Sequence, residues 1–215
     1  MSEPMKNPPA RKTQTAKRNY QKEMEDLIKE LQKEGKVPSL LLHSCCAPCS
    51  SYVLEYLSDY FRITVLYYNP NIFPESEYKY RIEEQRRLIQ SLPVRYPVSF
   101  MDTEYTPDDF YSRIKGLEKE KEGGRRCEKC FRLRLEYAAK LAEEKGFDFF
   151  TTTLSISPLK NAPLLNSIGT ELAEIYHVPY LVSDFKKKNG YKRSVELSAE
   201  YELYRQNYCG CVYSE

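Results

Sequence analysis

A chain of 215 residues is long enough for one α/β domain with additions, since domains commonly span roughly 100–200 residues. Its 33 lysines and arginines nearly balance 31 aspartates and glutamates, so no overall positive field marks a general nucleic-acid binder. No segment approaches the roughly 18 consecutive apolar residues of a membrane span, and the basic N-terminus lacks the apolar stretch of a secretory signal. These features argue against a membrane protein and predict a cytoplasmic one.

The first 22 residues differ from the rest of the chain. Apolar residues are few there and Glu3 is the single acid, a composition that cannot bury a core and predicts a disordered arm. We therefore expect a basic arm over residues 1–22 and a single α/β domain over residues 23–215. The basic residues of the arm are Lys6, Arg11, Lys12, Lys17, Arg18 and Lys22.

Helices and strands are predicted in alternation after the arm. Apolar residues at helical spacing, followed by a glycine, indicate a helix over residues 23–36. A short apolar strand over residues 39–43 leads into the first cysteines, and a helix follows them. A second strand over residues 63–68 ends at an Asn-Pro-Asn turn, and a charged helix is expected over residues 78–92.

The second half of the chain continues this pattern. Strands that alternate with helices of 10–15 residues predict an α/β fold, with a doubly wound, Rossmann-like parallel sheet and a helical C-terminal part. The elements expected are a strand over 94–100, a polar segment over 103–126, a helix over 128–145, a strand over 147–152, a helix over 162–176, a strand over 179–182 and a polar, partly helical stretch over 184–215.

All seven cysteines fall into three groups rather than being scattered as small core residues would be. In a reducing compartment, clustered cysteines more often bind metal or carry out redox chemistry than form disulfides, and an odd number would leave one unpaired. The domain over residues 23–215 is therefore expected to be metal-binding and catalytic. The groups are Cys45-Cys46-Ala47-Pro48-Cys49, Cys127-Glu128-Lys129-Cys130 and Cys209-Gly210-Cys211.

The positions of the first two groups suit an anionic metal centre. The first group lies between a predicted strand and a helix, at the sheet edge where open α/β folds bind ligands. The second group opens a helix, whose N-terminal N–H groups favour negative charge and lower thiol pKa values. The cysteines are therefore expected to bind redox-active iron through their thiolates.

Cysteine-only ligation fits either zinc or an iron–sulfur cluster. Vicinal Cys45 and Cys46 are expected to point apart and so to serve two adjacent centres. Seven thiols then divide into four for a [4Fe–4S] cluster and three for a second ion with an open position, the mark of a catalytic site. We expect the two cysteines of a pair that serves both centres to be divided between them. This assigns Cys45, Cys127, Cys130 and Cys209 to the cluster, and Cys46, Cys49 and Cys211 to a second metal ion, expected to be iron.

Four motifs together resemble the cobalamin-independent epoxyqueuosine reductases, over roughly residues 38–213. The resemblance implies a fold related to the adenine nucleotide α-hydrolase (HUP) group, an iron–sulfur cluster beside a second metal, and an oxidoreductase of queuosine biosynthesis. Its substrate would be tRNA bearing epoxyqueuosine at the anticodon wobble position, and its electrons would come from a ferredoxin or flavodoxin. The motifs are the Cys45–Cys49 group, Arg126-Cys127-Glu128-Lys129-Cys130-Phe131, Thr152-Thr153-Leu154-Ser155-Ile156-Ser157-Pro158 and Tyr204-Arg205-Gln206-Asn207-Tyr208-Cys209-Gly210-Cys211.

Deoxygenating an epoxide requires protons, and the candidate donors are Tyr208, Asp184 and His43. A tRNA substrate would also give the local basic clusters a role as phosphate contacts. The loops at 155–158 and 184–186 are expected to surround the pocket. The phosphate-contact candidates are Arg125, Arg126, Lys160, Lys186, Lys187, Lys188, Lys192 and Arg193.

Two other functions stay open at the level of sequence. One is a tRNA-thiolation-like transferase, which would have to be ATP-independent because residues 43–49 contain no glycine to form a phosphate-binding loop. The other is a zinc-stabilised RNA-binding module, which explains the Cys-x-x-Cys pair and the basic clusters but leaves three cysteines without a role.

Overall fold

The computed structural model describes residues 18–214 of the chain. Its strands are β1 Ser39–His43, β2 Arg62–Tyr67, β3 Ser99–Asp102 and β4 Phe149–Thr152, and they form one parallel sheet in the order β3-β2-β1-β4. The α-helices within those residues are α1 Tyr20–Lys33, α2 Ala47–Leu57, α3 Glu75–Ser91, α4 Pro107–Ile114, α5 Arg125–Lys145, α6 Ala162–Tyr176 and α7 Gly190–Glu200.

Strand β1 lies inside the sheet and is buried on both faces. Leu40 and Leu42 pack into the core formed with α1, α2 and α3, whereas Leu41 packs on the opposite side with α4, α5 and α6. Successive side chains of a strand point to opposite faces, so an uninterrupted apolar run is what a strand covered by helices on both sides requires. The predicted α/β fold with a parallel sheet and a helical C-terminal part is confirmed.

The predicted fifth strand at residues 179–182 is wrong. Only Tyr180 forms a bridge there, to Phe150 of β4. Side chains replace the rest of the ladder: the Leu181 carbonyl accepts from the Thr151 hydroxyl at 2.8 Å, and the Ser183 N–H donates to Asn166 Oδ1 at 2.9 Å. This segment therefore pairs with the sheet edge at a single residue instead of forming a strand.

Helix α4 and strand β3 differ most from their predictions, while α3, α5 and β4 begin two or three residues from the predicted positions. Helix α4 lies inside the segment expected to be merely polar, and its buried Phe110 and Ile114 at i, i+4 spacing are the signal that indicates it. Strand β3 begins five residues later than predicted, at Ser99, because Pro97 has no N–H to donate to a neighbouring strand.

The predicted arm falls largely outside the described residues, which begin at Arg18. Helix α1 begins at Tyr20, so the end of the arm was placed too late; Asn19 caps the helix by accepting from the Lys22 N–H. Across residues 18–214, no helix is both long enough and apolar enough to cross a membrane.

Candidate metal centre

A cavity of roughly 500 Å³ opens beyond the carboxyl end of β1. It is lined by cysteines from the first and third groups, by residues of α7 and by the C-terminal segment. Ligands of open α/β folds bind at this edge of the sheet. The cysteines, cations and tyrosines that line the cavity are Cys45, Cys46, Cys49, Arg81, Arg134, Lys160, Tyr191, Arg205, Tyr208 and Cys209.

The first group converges on a single point. Cys46 is the N-cap of α2, and the Sγ atoms of Cys45, Cys46 and Cys49 all lie within 4.8 Å of one another. The Sγ atoms of the vicinal pair are only 3.8 Å apart, so the expectation that Cys45 and Cys46 point away from each other is wrong. The chain leaves β1 and enters α2 at these residues, so the alternation of an extended strand does not persist through them.

The pKa values of the three thiols in this group are shifted in different directions. Hydrogen bonds from Cys46 and Cys49 hold the pKa of Cys45 well below its usual value, against the opposing effect of burial. The same contacts, together with burial, raise the pKa of Cys46 to about 12 and that of Cys49 well above its usual value. Its two neighbours thus favour the thiolate form of Cys45, at the place where a cation would bind.

The second and third groups meet beside the first. Cys127 and Cys130 are one turn apart on α5, as predicted for a group that opens a helix, and the Gly123 N–H donates to Cys127 Sγ at 3.2 Å. Cys209 and Cys211 of the C-terminal turn join them around a small adjoining cavity. Burial raises the pKa of Cys130 to about 12.

Two buried arginines hold the C-terminal turn in place. Arg81 of α3 donates to the Cys209 carbonyl at 3.3 Å and pairs with Glu77 at 2.8 Å. Arg126 donates to the Tyr213 carbonyl at 3.0 Å and to the Glu118 carbonyl at 2.9 Å. Arg126 is only 3% exposed and both of its Nη atoms donate to carbonyls inside the protein, so its predicted role as a phosphate contact is wrong.

Gly210 allows Arg81 to approach this turn. Its φ of +89° lies in the region that favours glycine, and a Cβ there would be 2.8 Å from the Arg81 guanidinium. The position between the last two cysteines therefore requires glycine for both its backbone conformation and its space.

Two cations face the thiols without a carboxylate partner. Arg134 of α5 is 1% exposed, contacts the Cys130 carbonyl at 3.3 Å, and leaves Nη2 without a hydrogen-bond partner. Lys160 Nζ lies 3.6 Å from Cys209 Sγ; burial alone would lower its pKa, but the neighbouring thiols outweigh burial and raise it. Among residues 18–214, no carboxylate lies within 4.0 Å of either cation.

Of the predicted proton donors, Tyr208 alone lines the large cavity. Its side chain is 39% exposed, and the Arg81 guanidinium lies 5.4 Å from its ring centroid. Asp184 is instead paired with Lys186 at 2.7 Å. Of the two loops expected around the pocket, the one at 156–158 lines it and the one carrying Asp184 does not.

His43 is fully buried and both of its ring nitrogens are engaged. The Tyr68 carbonyl can only accept, so Nε2 carries the proton and donates to it at 3.1 Å, while Nδ1 accepts from the Thr152 hydroxyl at 2.9 Å. Burial, followed by the charge of Arg134, lowers the pKa of His43 to about 4. A neutral histidine with its only proton committed links β1, β2 and β4 rather than supplying an acid.

Most of the predicted phosphate contacts on the surface are occupied by carboxylates. Lys188 pairs with Glu25 at 2.6 Å and Arg193 pairs with Glu55 at 2.6 Å. Arg205, which the sequence reasoning missed, is exposed at the cavity wall, and its Nη2 donates to the Tyr191 hydroxyl at 3.1 Å. Its place within the fourth motif was the signal that pointed to it.

Comparison with known proteins agrees with this site. The family sequence profile described as "Epoxyqueuosine reductase QueH" matches residues 40–215. The chain belongs to this family. The family and the oxidoreductase class predicted from the four motifs are therefore confirmed, and the transferase and the zinc module are not favoured.

Individual relatives carry the same name. The Epoxyqueuosine reductase QueH of Streptococcus pyogenes serotype M1 is 45% identical over 198 residues, covering 91% of this chain and 78% of that protein. The QueH of Staphylococcus epidermidis is 44% identical over 207 residues, covering 94% and 87%. Among solved structures, the U34-tRNA thiolase NcsA from Methanococcus maripaludis with its [4Fe-4S] cluster overlaps at a TM-score of 0.49 with 12% identity, over 90% of this chain and 68% of that one. An overlap of that size says nothing about chemistry.

Proposed function

We propose that this chain reduces epoxyqueuosine in tRNA to queuosine, using an iron–sulfur cluster held by its cysteines. The observation that carries the proposal is the convergence of all seven thiols at one edge of the sheet, beside Arg134 and Lys160, neither of which forms an ion pair within residues 18–214. A cluster bound by thiolates is anionic, so it would supply the missing negative charge. The residues present therefore fit an iron–sulfur cluster better than a neutral ligand.

The spacing of the thiols supports a division different from the one predicted from sequence. A single tetrahedral ion with metal–sulfur bonds of about 2.3 Å separates its thiolates by roughly 3.8 Å. The Sγ atoms of Cys45 and Cys46 are 3.8 Å apart, and Cys49 joins them within 4.8 Å. These three would hold the second metal ion, for which we propose iron, and leave an open position.

The remaining four thiols would hold the [4Fe–4S] cluster. Among the residues that the structure describes, no other three metal-ligating side chains lie as close together as the first group. The wider spacing of the other four thiols suits a cluster, which is larger than a single ion. Arg134 Nη2 faces this region without a partner. The proposed cluster ligands are Cys127, Cys130, Cys209 and Cys211.

The reaction requires more than electrons. Converting the epoxide to an alkene consumes two electrons and two protons and releases water. When bound, the cluster would supply the electrons singly, from an external donor of ferredoxin or flavodoxin type, and the open metal position would polarise the epoxide oxygen. Tyr208 is the predicted proton donor that shares the cavity with the thiols, so we assign it the proton that goes to oxygen.

The part of the cavity formed by α7 and the C-terminal segment suits a nucleotide. Arg205 is exposed there with its guanidinium oriented by Tyr191, and the Arg205 Cζ lies 5.5 Å from the centroid of that ring. An exposed guanidinium binds phosphate, and exposed aromatic rings stack on splayed bases. Arg205 would thus contact a phosphate next to the modified nucleotide, and Tyr191 and Tyr208 would border the base.

The decisive experiment is anaerobic purification with iron and sulfide quantification, followed by reaction with epoxide-bearing tRNA and nucleoside mass spectrometry. We expect queuosine to form when a chemical reductant is added. Arg205→Gln should weaken tRNA binding and reduce its dependence on salt, whereas Arg193→Gln should not, because Arg193 is already paired with Glu55. Zinc at one equivalent without sulfide, or no conversion by the loaded and reduced protein, would contradict the proposal.

A further inference from the structure

Lys160 and its neighbour Leu159 reverse the usual pattern, in which apolar side chains are buried and charged ones face solvent. Leu159 is 77% exposed, whereas the Lys160 side chain turns into the cysteine site. Lysine is among the residues least often buried, and an apolar side chain left in water gains nothing. A loop conformation with Leu159 buried and Lys160 in solvent would therefore be favoured by side-chain hydration alone. The contacts that Lys160 makes in the site must offset this energetic cost.

The contacts of Lys160 are with the metal-binding part of the site. Its Nζ lies 3.6 Å from Cys209 Sγ and 5.7 Å from the centroid of the Phe131 ring. Arg134 lines the same two cavities and adds a second charge. Exposed Glu122 also lines both cavities, but within residues 18–214 neither Lys160 nor Arg134 has a carboxylate within 4.0 Å, so no close ion pair neutralises their charges beside the thiols.

A fixed positive charge next to a redox centre acts on its two oxidation states differently. Each electron added to a thiolate-bound cluster makes it more negative, so a nearby cation stabilises the reduced state more than the oxidised one. An N–H donor to a ligand sulfur acts in the same direction, and both effects are larger in a partly buried site than in water.

We infer that Lys160, supported by Arg134, raises the reduction potential of the iron–sulfur centre by placing its ammonium group against the Cys209 sulfur. The inference rests on the proposed cluster. It makes Lys160 a positioning residue for electron transfer, and it gives this lysine a role other than the phosphate contact predicted for it.

The test is an anaerobic spectroelectrochemical titration of the cluster in the full chain, with iron and sulfide measured first. Three variants are compared with the unaltered protein: Lys160→Met, Lys160→Arg and, as a control, Lys129→Met. Lys129 lies between two cysteines in the sequence but is exposed to solvent, so its loss removes the same charge from a screened position.

We expect Lys160→Met to lower the ratio of reduced to oxidised cluster at a fixed potential by about tenfold, which is about 59 mV for one electron. Lys160→Arg should keep most of the original potential, and Lys129→Met should change it far less than Lys160→Met. Equal potentials in the unaltered protein and Lys160→Met would overturn the inference while leaving the reductase proposal intact. Loss of the cluster from Lys160→Met but not from Lys160→Arg would also overturn it, because the lysine would then be needed for assembly. Absence of iron and sulfide from the unaltered protein would instead overturn the proposed function and the inference with it.

Discussion

Basic side chains in two regions of this protein have opposite electrostatic surroundings. Near α7, Lys188 and Arg193 each lie 2.6 Å from a carboxylate oxygen. At the cysteine cavity, Arg134 and Lys160 have no such partner among residues 18–214. An exposed ion pair contributes at most about 1 kcal/mol, whereas an uncompensated buried charge costs several kcal/mol. The cavity is therefore suited to a bound anion, since its one lining acid, exposed Glu122, pairs with neither cation within 4.0 Å.

Removing a proposed cluster ligand should have the largest effect. Cys130→Ser replaces a buried thiol on α5 with a hydroxyl, which is a poor ligand for iron. We expect the iron and sulfide content to fall to background and epoxide reduction to fall by more than about 100-fold. Metal analysis and nucleoside mass spectrometry provide the measurement. Full retention of iron and sulfide would show that the cluster lies elsewhere.

The two regions can be compared directly with Arg134→Met and Arg193→Met. Because Arg134 is expected to interact with the cluster, its loss should cost at least about 2 kcal/mol more in the loaded protein than in the cluster-free protein. Arg193→Met should cost about 0.5 kcal/mol in both forms, since its pair with Glu55 is on the surface. Denaturant unfolding of both forms under anaerobic conditions measures the difference. An equal cost for Arg134→Met in the two forms would remove the basis of the comparison.

The glycine between the last two cysteines offers a test of the site's backbone. Gly210→Ala should destabilise the protein by about 3 kcal/mol, because φ is +89° and the new Cβ would press on Arg81. The control is Gly35→Ala, where φ is +64° but nothing lies within 4 Å, so only about 1 kcal/mol is expected. Thermal and denaturant unfolding would check this; equal losses would mean that Arg81 moves aside without cost.

The smallest effect should come from a carboxylate far from the cavity. Asp148 accepts from the Ser39 N–H at 2.8 Å and from its hydroxyl at 2.7 Å, and these hydrogen bonds lower the pKa of Asp148. A depressed carboxyl pKa adds stability that is present above the unfolded value of 3.8 and is lost as the pH falls below it. Asp148→Asn should therefore cost roughly 1 kcal/mol or less at pH 7 and less still near pH 3, where unfolding in denaturant would measure it. A cost that does not change with pH would contradict this account.

The parts of the fold that follow from local pattern could be predicted from sequence. Strand β1 and helix α6 have the predicted bounds because an apolar run and a proline with helical spacing fix them locally. The segment at 179–182 could not be predicted, because the hydroxyl of Thr151 and the amide of Asn166 take the place of backbone partners only in the folded state.

The candidate site shows the same limit. The three cysteine groups and the family were evident from sequence, since clustering and motif order are local properties. The convergence of Cys45 and Cys46 depends on the strand-to-helix turn, and the engagement of Arg126 and His43 depends on carbonyls from distant elements. The roles of Arg134 and Lys160 depend on their having no ion-pair partner among residues 18–214, which is a property of the packed protein rather than of any motif.

Diffraction from crystals of the anaerobically loaded protein, recorded at the iron absorption edge, tests the central claim most directly. The account predicts a four-iron cluster bound by Cys127, Cys130, Cys209 and Cys211, next to Arg134 and Lys160, with a separate ion at Cys45, Cys46 and Cys49. A single zinc ion without sulfide, or iron bound away from the two unpaired cations, would contradict it.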